Sequence, residues 1–247
     1  MFITAFLLFF VPFITAILVL IYSPYEKNIN LKHLLTFSGS YLFSITLIHI
    51  LPEIYQNKNN SNFLGLIVLG GFVFQMLLEL MSKGIEHGHA HIHFHESFNS
   101  KKAIIMLVSL GAHSFVEGMI LIHSSESHHN HDVQSLLIGL LIHKIPESFA
   151  LTTSLIYSKF RSKKIFYYII IHASCSPLGL FLANYIQDYF IDFNFVIYIF
   201  AVVSGSFLYL STTIFFEQNP QHRLKPTRLI WFLLGAWIAT LVHFFKI

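Results

Sequence analysis

The sequence contains His113-Ser-Phe-Val-Glu117-Gly118 and His143-Lys-Ile-Pro-Glu147, two stretches with a histidine and a glutamate four residues apart, each inside a long apolar segment. On an α-helix, positions i and i+4 share one face, so each helix presents an imidazole and a carboxylate in the same direction. Ionisable side chains at membrane depth cost about 2.5–3.5 kcal/mol each on insertion scales and usually mark a functional site. Two such pairs offer four ligands, the number that tetrahedral Zn²⁺ uses. The pattern predicts that His113, Glu117, His143 and Glu147 bind a metal ion.

The composition indicates a membrane protein. Hydrophobic residues make up 55% of the 247 residues and charged residues only 11%, whereas soluble domains carry about 25% charged residues. A chain with so few charges could not cover the surface of a soluble protein, so we expect the lipid bilayer as its surroundings. A single cysteine, Cys175, excludes an internal disulfide and a cysteine-based zinc motif. No basic patch with an aromatic platform is present, so no nucleic-acid partner is expected.

Eight apolar segments have the length of about 20 residues that crosses a bilayer. They cover residues 2–22, 34–54, 63–83, 103–123, 134–157, 165–187, 194–216 and 228–246. The first segment lacks a basic start and is longer than the apolar core of a signal peptide, so we expect it to be a retained helix. The sequence predicts an all-α integral membrane protein with eight transmembrane helices in one bundle, forming a single domain over residues 1–247.

The basic residues predict the orientation. Twelve of the fifteen lysines and arginines lie in the loops that follow the first, third, fifth and seventh spans. Loops rich in lysine and arginine are cytoplasmic by the positive-inside rule, so both termini are expected on the non-cytoplasmic side. We favour the plasma membrane over internal membranes as the location.

Two loops are rich in histidine. The cytoplasmic loop 84–101 contains five histidines that alternate with other residues, namely His87, His89, His91, His93 and His95. This spacing is typical of a flexible chelating tract rather than of a helix face. The second loop, on the outer side, contains His123, His128, His129 and His131. We interpret these loops as regions that capture or sense metal; the alternative is a pair of solvated loops.

The motifs resemble those of the Zrt/Irt-like (ZIP) family of divalent-metal transporters, in the same spans and order and across nearly the whole chain. Besides the two opening stretches and the histidine-rich loop after the third span, the resemblance rests on three motifs. They are His49-Ile-Leu-Pro-Glu53 in the second span, Ser176-Pro-Leu-Gly179 in the sixth and Gly205-Ser-Phe-Leu-Tyr209 in the seventh. The resemblance implies eight spans, outer termini, movement of one helix group against another, and a homodimer as partner state.

Three positions depart from the family members that hold two metals side by side. Those members carry an asparagine after the first histidine, an acid after the second and an acid before the proline of the sixth span. This chain has Ser114, Lys144 and Ser176 there, and so resembles the branch with His-Lys in the fifth span. A fixed ammonium repels a second cation, so we expect one metal ion in the site at a time. The resemblance implies transport of a divalent ion toward the cytoplasm.

Further polar residues are candidates for the transport path. His49 and Glu53, near the outer end of the second span, form either an outer binding site or a surface cap. Glu217, at the cytoplasmic end of the seventh span, is a candidate to receive the departing ion. Ser114, Lys144 and Ser176 flank the predicted ligands, whereas His172 and His243 are interpreted as packing residues.

The expected cargo is Zn²⁺, because imidazole and carboxylate suit zinc and related ions better than Mg²⁺ or Ca²⁺. Fe²⁺, Mn²⁺ and Cd²⁺ remain alternatives, and no bound cofactor is expected. A rival hypothesis is an intramembrane metalloenzyme, which would need an open coordination position and a nearby base. The spans lack His-x-Glu-x-x-His and clustered His-x-x-His-His motifs, so we predict a transporter and not an enzyme.

Overall fold

The computed structural model describes residues 1–22, 31–56, 61–82, 100–122, 130–158, 160–189, 195–216 and 226–245, and in these residues the regular structure is entirely helical. The helices are α1 (Phe2–Tyr22), α2 (Leu31–Ile45), α3 (Leu51–Gln56), α4 (Ser61–Ser82), α5 (Ser100–Met119), α6 (Asn130–Tyr157), α7 (Ser162–Tyr189), α8 (Phe195–Phe216) and α9 (Pro226–Phe245). A π-helical segment, Thr46–Ile50, joins α2 to α3.

Eight helical stretches of the described chain are long and apolar enough to cross a membrane. Seven are single helices, and the second span combines α2, the π-helical segment and α3 over His33–Gln56. The predicted number of spans and the all-helical fold class are therefore confirmed. The boundaries differ by a few residues; α7, for example, begins at Ser162 rather than at residue 165, because lysines in the first turn can remain helical while their ammonium groups reach the membrane surface.

The helices pack in two groups. One group contains α2, α4, α8 and α9, and the other contains α1, α5, α6 and α7. Two glycines hold α4 against α8: a Cβ on Gly71 would overlap the carbonyl oxygen of Val202, and a Cβ on Gly205 would overlap that of Val68. Small residues allow such close backbone approach between membrane helices. The second group has its own apolar core, which includes Leu110 of α5 and is formed by buried residues of all four helices.

The fifth span lies at the centre of the bundle. In the most apolar stretch of α6, 67% of the residues are buried, compared with 17% in α9. Large apolar side chains of α9, among them Leu233 and Trp237, are exposed, as expected for a helix that faces lipid tails. The polar side chains in the middle of α6, among them His143, Lys144 and Glu147, are shielded by protein, so a buried ion site can be built on this helix.

Candidate metal centre

The centre is formed by three buried side chains from two neighbouring helices. His113 and Glu117 come from α5 and His143 from α6, and one ligand atom of each lies within 4.8 Å of the others. The Oε1 atom of Glu117 is 3.0 Å from Nε2 of His113 and 4.0 Å from Nε2 of His143. Each of the three residues is at most 2% exposed. Two imidazole nitrogens and one carboxylate oxygen thus converge on one point at membrane depth.

The position of α5 is set by its contact with α7. A Cβ on Gly118 would overlap the carbonyl oxygen of Ser176, and a Cβ on Gly179 would overlap that of Phe115. The Ser176 hydroxyl also donates a hydrogen bond of 2.8 Å to the carbonyl oxygen of Ser114. The two helices therefore touch through their backbones directly beside Glu117, which leaves no space for a larger residue in place of either glycine.

A glutamine from the other helix group orients His113. Oε1 of Gln75, on α4, lies 2.9 Å from Nδ1 of His113 and accepts a hydrogen bond of 2.8 Å from the Ser206 hydroxyl on α8. Because this oxygen accepts, Nδ1 of His113 is the donor, which leaves Nε2 as the nitrogen that can bind a metal. Metal-binding histidines almost always have such a partner on the second ring nitrogen. Gln75 is fully buried.

The ammonium of Lys144 lies beside the three ligands. It forms an ion pair with Oε2 of Glu117, lies 2.6 Å from Oε2 of Glu147, and donates a 2.6 Å hydrogen bond to the Ser114 hydroxyl. These three contacts match the three N–H donors of an ammonium group. Lys144 is 1% exposed, and its long side chain brings the charge between the two glutamates although its Cα adjoins that of His143.

Glu147 lies on the far side of this ammonium. Its Oε1 accepts a hydrogen bond of 2.6 Å from the Ser114 hydroxyl and lies 3.6 Å from Nε2 of His172 on α7. In the described part of the chain, the compact cluster of ligand atoms contains His113, Glu117 and His143 without Glu147. The role of Glu147 as a fourth ligand stays a prediction, and it would require the carboxylate to turn toward the other three.

The second span carries another histidine–glutamate pair. Nε2 of His49 is 3.5 Å from Oε2 of Glu53, and the Glu53 side chain is 38% exposed. The ring of His49 also lies 5.4 Å from the ring of His243 on α9, measured between centroids. His49 belongs to the π-helical segment, and π-helical turns are frequent at functional sites. The pair is separate from the buried centre, and its role in the path stays a prediction.

The remaining predicted residues lie outside the described residues. They are Glu217, the histidines of the cytoplasmic tract, and three histidines of the outer loop: His87, His89, His91, His93, His95, His123, His128 and His129.

Three residues of the centre were not recognised from the sequence as part of it. Gln75 and Ser206 orient His113, and His172, interpreted as a packing residue, faces Glu147. The sequence contains only a weak indication of these roles, because each residue is a single polar residue in an apolar span. Such a residue does not indicate which side chain of another helix it contacts.

The set of donors in the centre suits a borderline transition-metal ion. Imidazole nitrogens and a carboxylate oxygen are typical zinc ligands, whereas Mg²⁺ and Ca²⁺ prefer oxygen alone. The thiol of Cys175 donates to the carbonyl oxygen of Ile171 and does not belong to the cluster of ligand atoms in the described residues. A site without thiolate suits an ion that must also leave.

The fold and this centre define a multi-pass integral membrane protein with a buried set of metal ligands. Comparison with protein families then identifies the group: the model of the ZIP zinc transporter family matches residues 86–243, which is more than half of the chain. The chain belongs to this family. Members are transporters and not enzymes, so the chain transports divalent metal ions, and the metalloenzyme hypothesis is set aside. A search of curated proteins finds no match.

Proposed function

We propose that this protein carries Zn²⁺ toward the cytoplasm, one ion at a time, through a site formed by His113, Glu117, His143 and Glu147. The observation that carries the proposal is the convergence of two imidazoles and one carboxylate, all at most 2% exposed, on two central spans. A tetrahedral ion needs a fourth ligand. Glu147 would supply it by exchanging its contacts with Lys144 and Ser114 for the ion.

The charges of the centre favour a single ion. With imidazoles neutral, as metal binding requires, the carboxylates of Glu117 and Glu147 and the ammonium of Lys144 leave one net negative charge. One divalent cation changes this to one net positive charge, and a second would leave three positive charges in a buried site. Because uncompensated charge at membrane depth is costly, the ammonium supports a mononuclear site.

The distribution of basic and histidine-rich segments supports the proposed direction. Twelve of the fifteen basic residues lie in loops on one side, which supports a cytoplasmic location for those loops and outer termini. The tract of five histidines belongs to the same side, where it would retain the arriving metal. The plasma membrane is the proposed location, and a homodimer the proposed assembly; size measurement of the purified protein in detergent tests the latter.

Uptake of radioactive zinc by cells that express the protein tests the proposal. Wild type should import zinc, and Glu147→Ala should import none above background at equal surface level. His33→Ala is a matched control, because His33 stacks on Trp231 away from the centre, and it should import zinc as wild type does. Excess Fe²⁺, Mn²⁺ or Cd²⁺ should inhibit zinc uptake less than unlabelled Zn²⁺ does. Export instead of import, or normal uptake by Glu147→Ala, would contradict the proposal.

A further inference from the structure

His172 on α7 is a buried histidine that the four-ligand site does not use. It is 4% exposed, and among the residues that the structure describes, neither ring nitrogen has a hydrogen-bond partner. A buried polar group without a partner destabilises the folded protein. A histidine with only a packing role would normally satisfy one nitrogen with a carbonyl or a hydroxyl. The ring instead directs Nε2 at the carboxylate of Glu147, at a distance of 3.6 Å.

The ionisable groups of the centre lie in the order imidazole, carboxylate, ammonium, carboxylate, imidazole. His113 and His143 adjoin Glu117, the ammonium of Lys144 lies between Glu117 and Glu147, and His172 follows on the far side of Glu147. Each carboxylate thus has imidazole nitrogen on the side away from the ammonium. The Glu147 side has the same two ligand types as the three-residue cluster, with one histidine instead of two.

We propose that Glu147 and His172 form a second stop for the transported ion, which it occupies after it leaves His113, Glu117 and His143. This inference rests on the proposed function and extends it by a ligand. Because Glu147 is the fourth ligand of the first site, the ion keeps this carboxylate during the step and exchanges the other three ligands for His172. The ammonium of Lys144 keeps its pairing with Glu117, so that each carboxylate faces one cation at the second stop and the buried charge stays constant.

The number of ligands at this second stop suits departure. A position with one nitrogen and one carboxylate from the protein holds an ion more weakly than the first site does. Weak binding at successive positions is what conduction of a tightly hydrated ion requires. The occupant is a divalent cation that accepts imidazole, of the same class as zinc.

The test uses purified full-length protein in liposomes, with zinc and cadmium influx measured separately. We expect His172→Phe, which keeps a ring of similar size, to reduce zinc influx by about 10–100-fold, the usual range for groups that support a metal site. Equilibrium binding of zinc to the first site should change little. His33→Phe is the matched control and should transport as wild type does.

His172→Cys separates a ligand from a packing residue. A thiolate is a softer ligand than imidazole, so this variant should recover much of the influx and raise the ratio of cadmium to zinc influx several fold. If His172→Phe transports zinc at the wild-type rate, or His172→Cys keeps the wild-type ratio, the inference is wrong. If His172→Phe does not fold, the ratio in His172→Cys decides alone. Absence of influx in wild type would instead overturn the proposed function.

Discussion

The His-x-x-x-Glu pairs of α5 and α6 have the same spacing and burial but different neighbours. In α5, His113 and Glu117 contact each other, with 3.0 Å between nitrogen and oxygen. In α6, His143 faces Glu117 of the other helix, while Glu147 is held by Ser114 and Lys144. The two side chains of the α5 pair therefore contact each other, whereas those of the α6 pair lie on opposite sides of the Lys144 ammonium.

This difference shows what a shared helix face does and does not determine. The i, i+4 spacing directs two side chains the same way, but the groups packed opposite decide which atoms meet. Lys144 is what separates the two sides, because it uses all three donors on Glu117, Glu147 and Ser114. The comparison predicts unequal effects for substitutions on the two sides.

Among substitutions on the side of the centre near Glu117, the largest effect is expected for His143→Ala. Removal of a ligand costs at least as much as removal of the group that orients it, about 10–100-fold, so we expect zinc transport to fall by more than about 100-fold. Uptake is measured at equal surface expression, with His33→Ala as the control. Normal flux in this variant would show that the side of the centre near Glu117 is not the metal site.

The next effect concerns Gln75, which fixes the ring of His113. Gln75→Leu should weaken zinc binding by about 10–100-fold, because the histidine loses the partner that holds Nε2 toward the metal. Titration of purified protein with zinc measures the change. Gln75→Glu keeps an acceptor oxygen and should recover binding, whereas Ser206→Ala removes only a hydrogen bond to the glutamine and should have a smaller effect. Equal loss in all three variants would indicate a purely structural role.

Replacing the ammonium tests what divides the two sides. Lys144→Asp combined with Ser114→Asn replaces the cation by a carboxylate and adds an amide oxygen, both of which can bind a metal. We expect bound zinc to rise from one toward two ions per chain. If the double variant still binds one, helix geometry rather than Lys144 sets the number of ions.

The smallest effect is expected outside the centre. Replacement of all five histidines of the tract, His87, His89, His91, His93 and His95, by serine should leave the initial rate of zinc uptake largely unchanged. These residues belong to a polar segment between two spans and not to the membrane-depth ligands. Retention of zinc in the cytoplasm should fall. Complete loss of uptake at normal surface level would place the tract in the obligatory path.

Much of the fold was predictable from the sequence. Length and hydropathy predict eight spans because the bilayer imposes a minimum apolar length, and the structure has eight such helices in its described part. The predicted helix ends were less accurate. The helices that begin at Ser100 and Ser162 contain lysines in their first turns, and a prediction based on apolar residues leaves these lysines out of the span.

The candidate site was predictable in its ligand types but not in its arrangement. Spacing placed His113 with Glu117 on one face, and the structure has them in contact. The same spacing could not predict that Glu147 turns toward Lys144 and His172, because this depends on the packing of α5, α6 and α7. The contribution of Gln75 from α4 depends on contact between the two helix groups, which no local pattern encodes.

The number of zinc ions per chain tests the central claim most directly. We would measure it by native mass spectrometry on purified protein at saturating zinc, with the histidines of both loops replaced so that they do not bind metal. One ion is expected in this background and none after the further substitution Glu117→Gln, because Oε1 of Glu117 lies within 4.0 Å of both imidazoles. Two ions in the background protein, or one that persists in Glu117→Gln, would contradict a single site formed by His113, Glu117, His143 and Glu147.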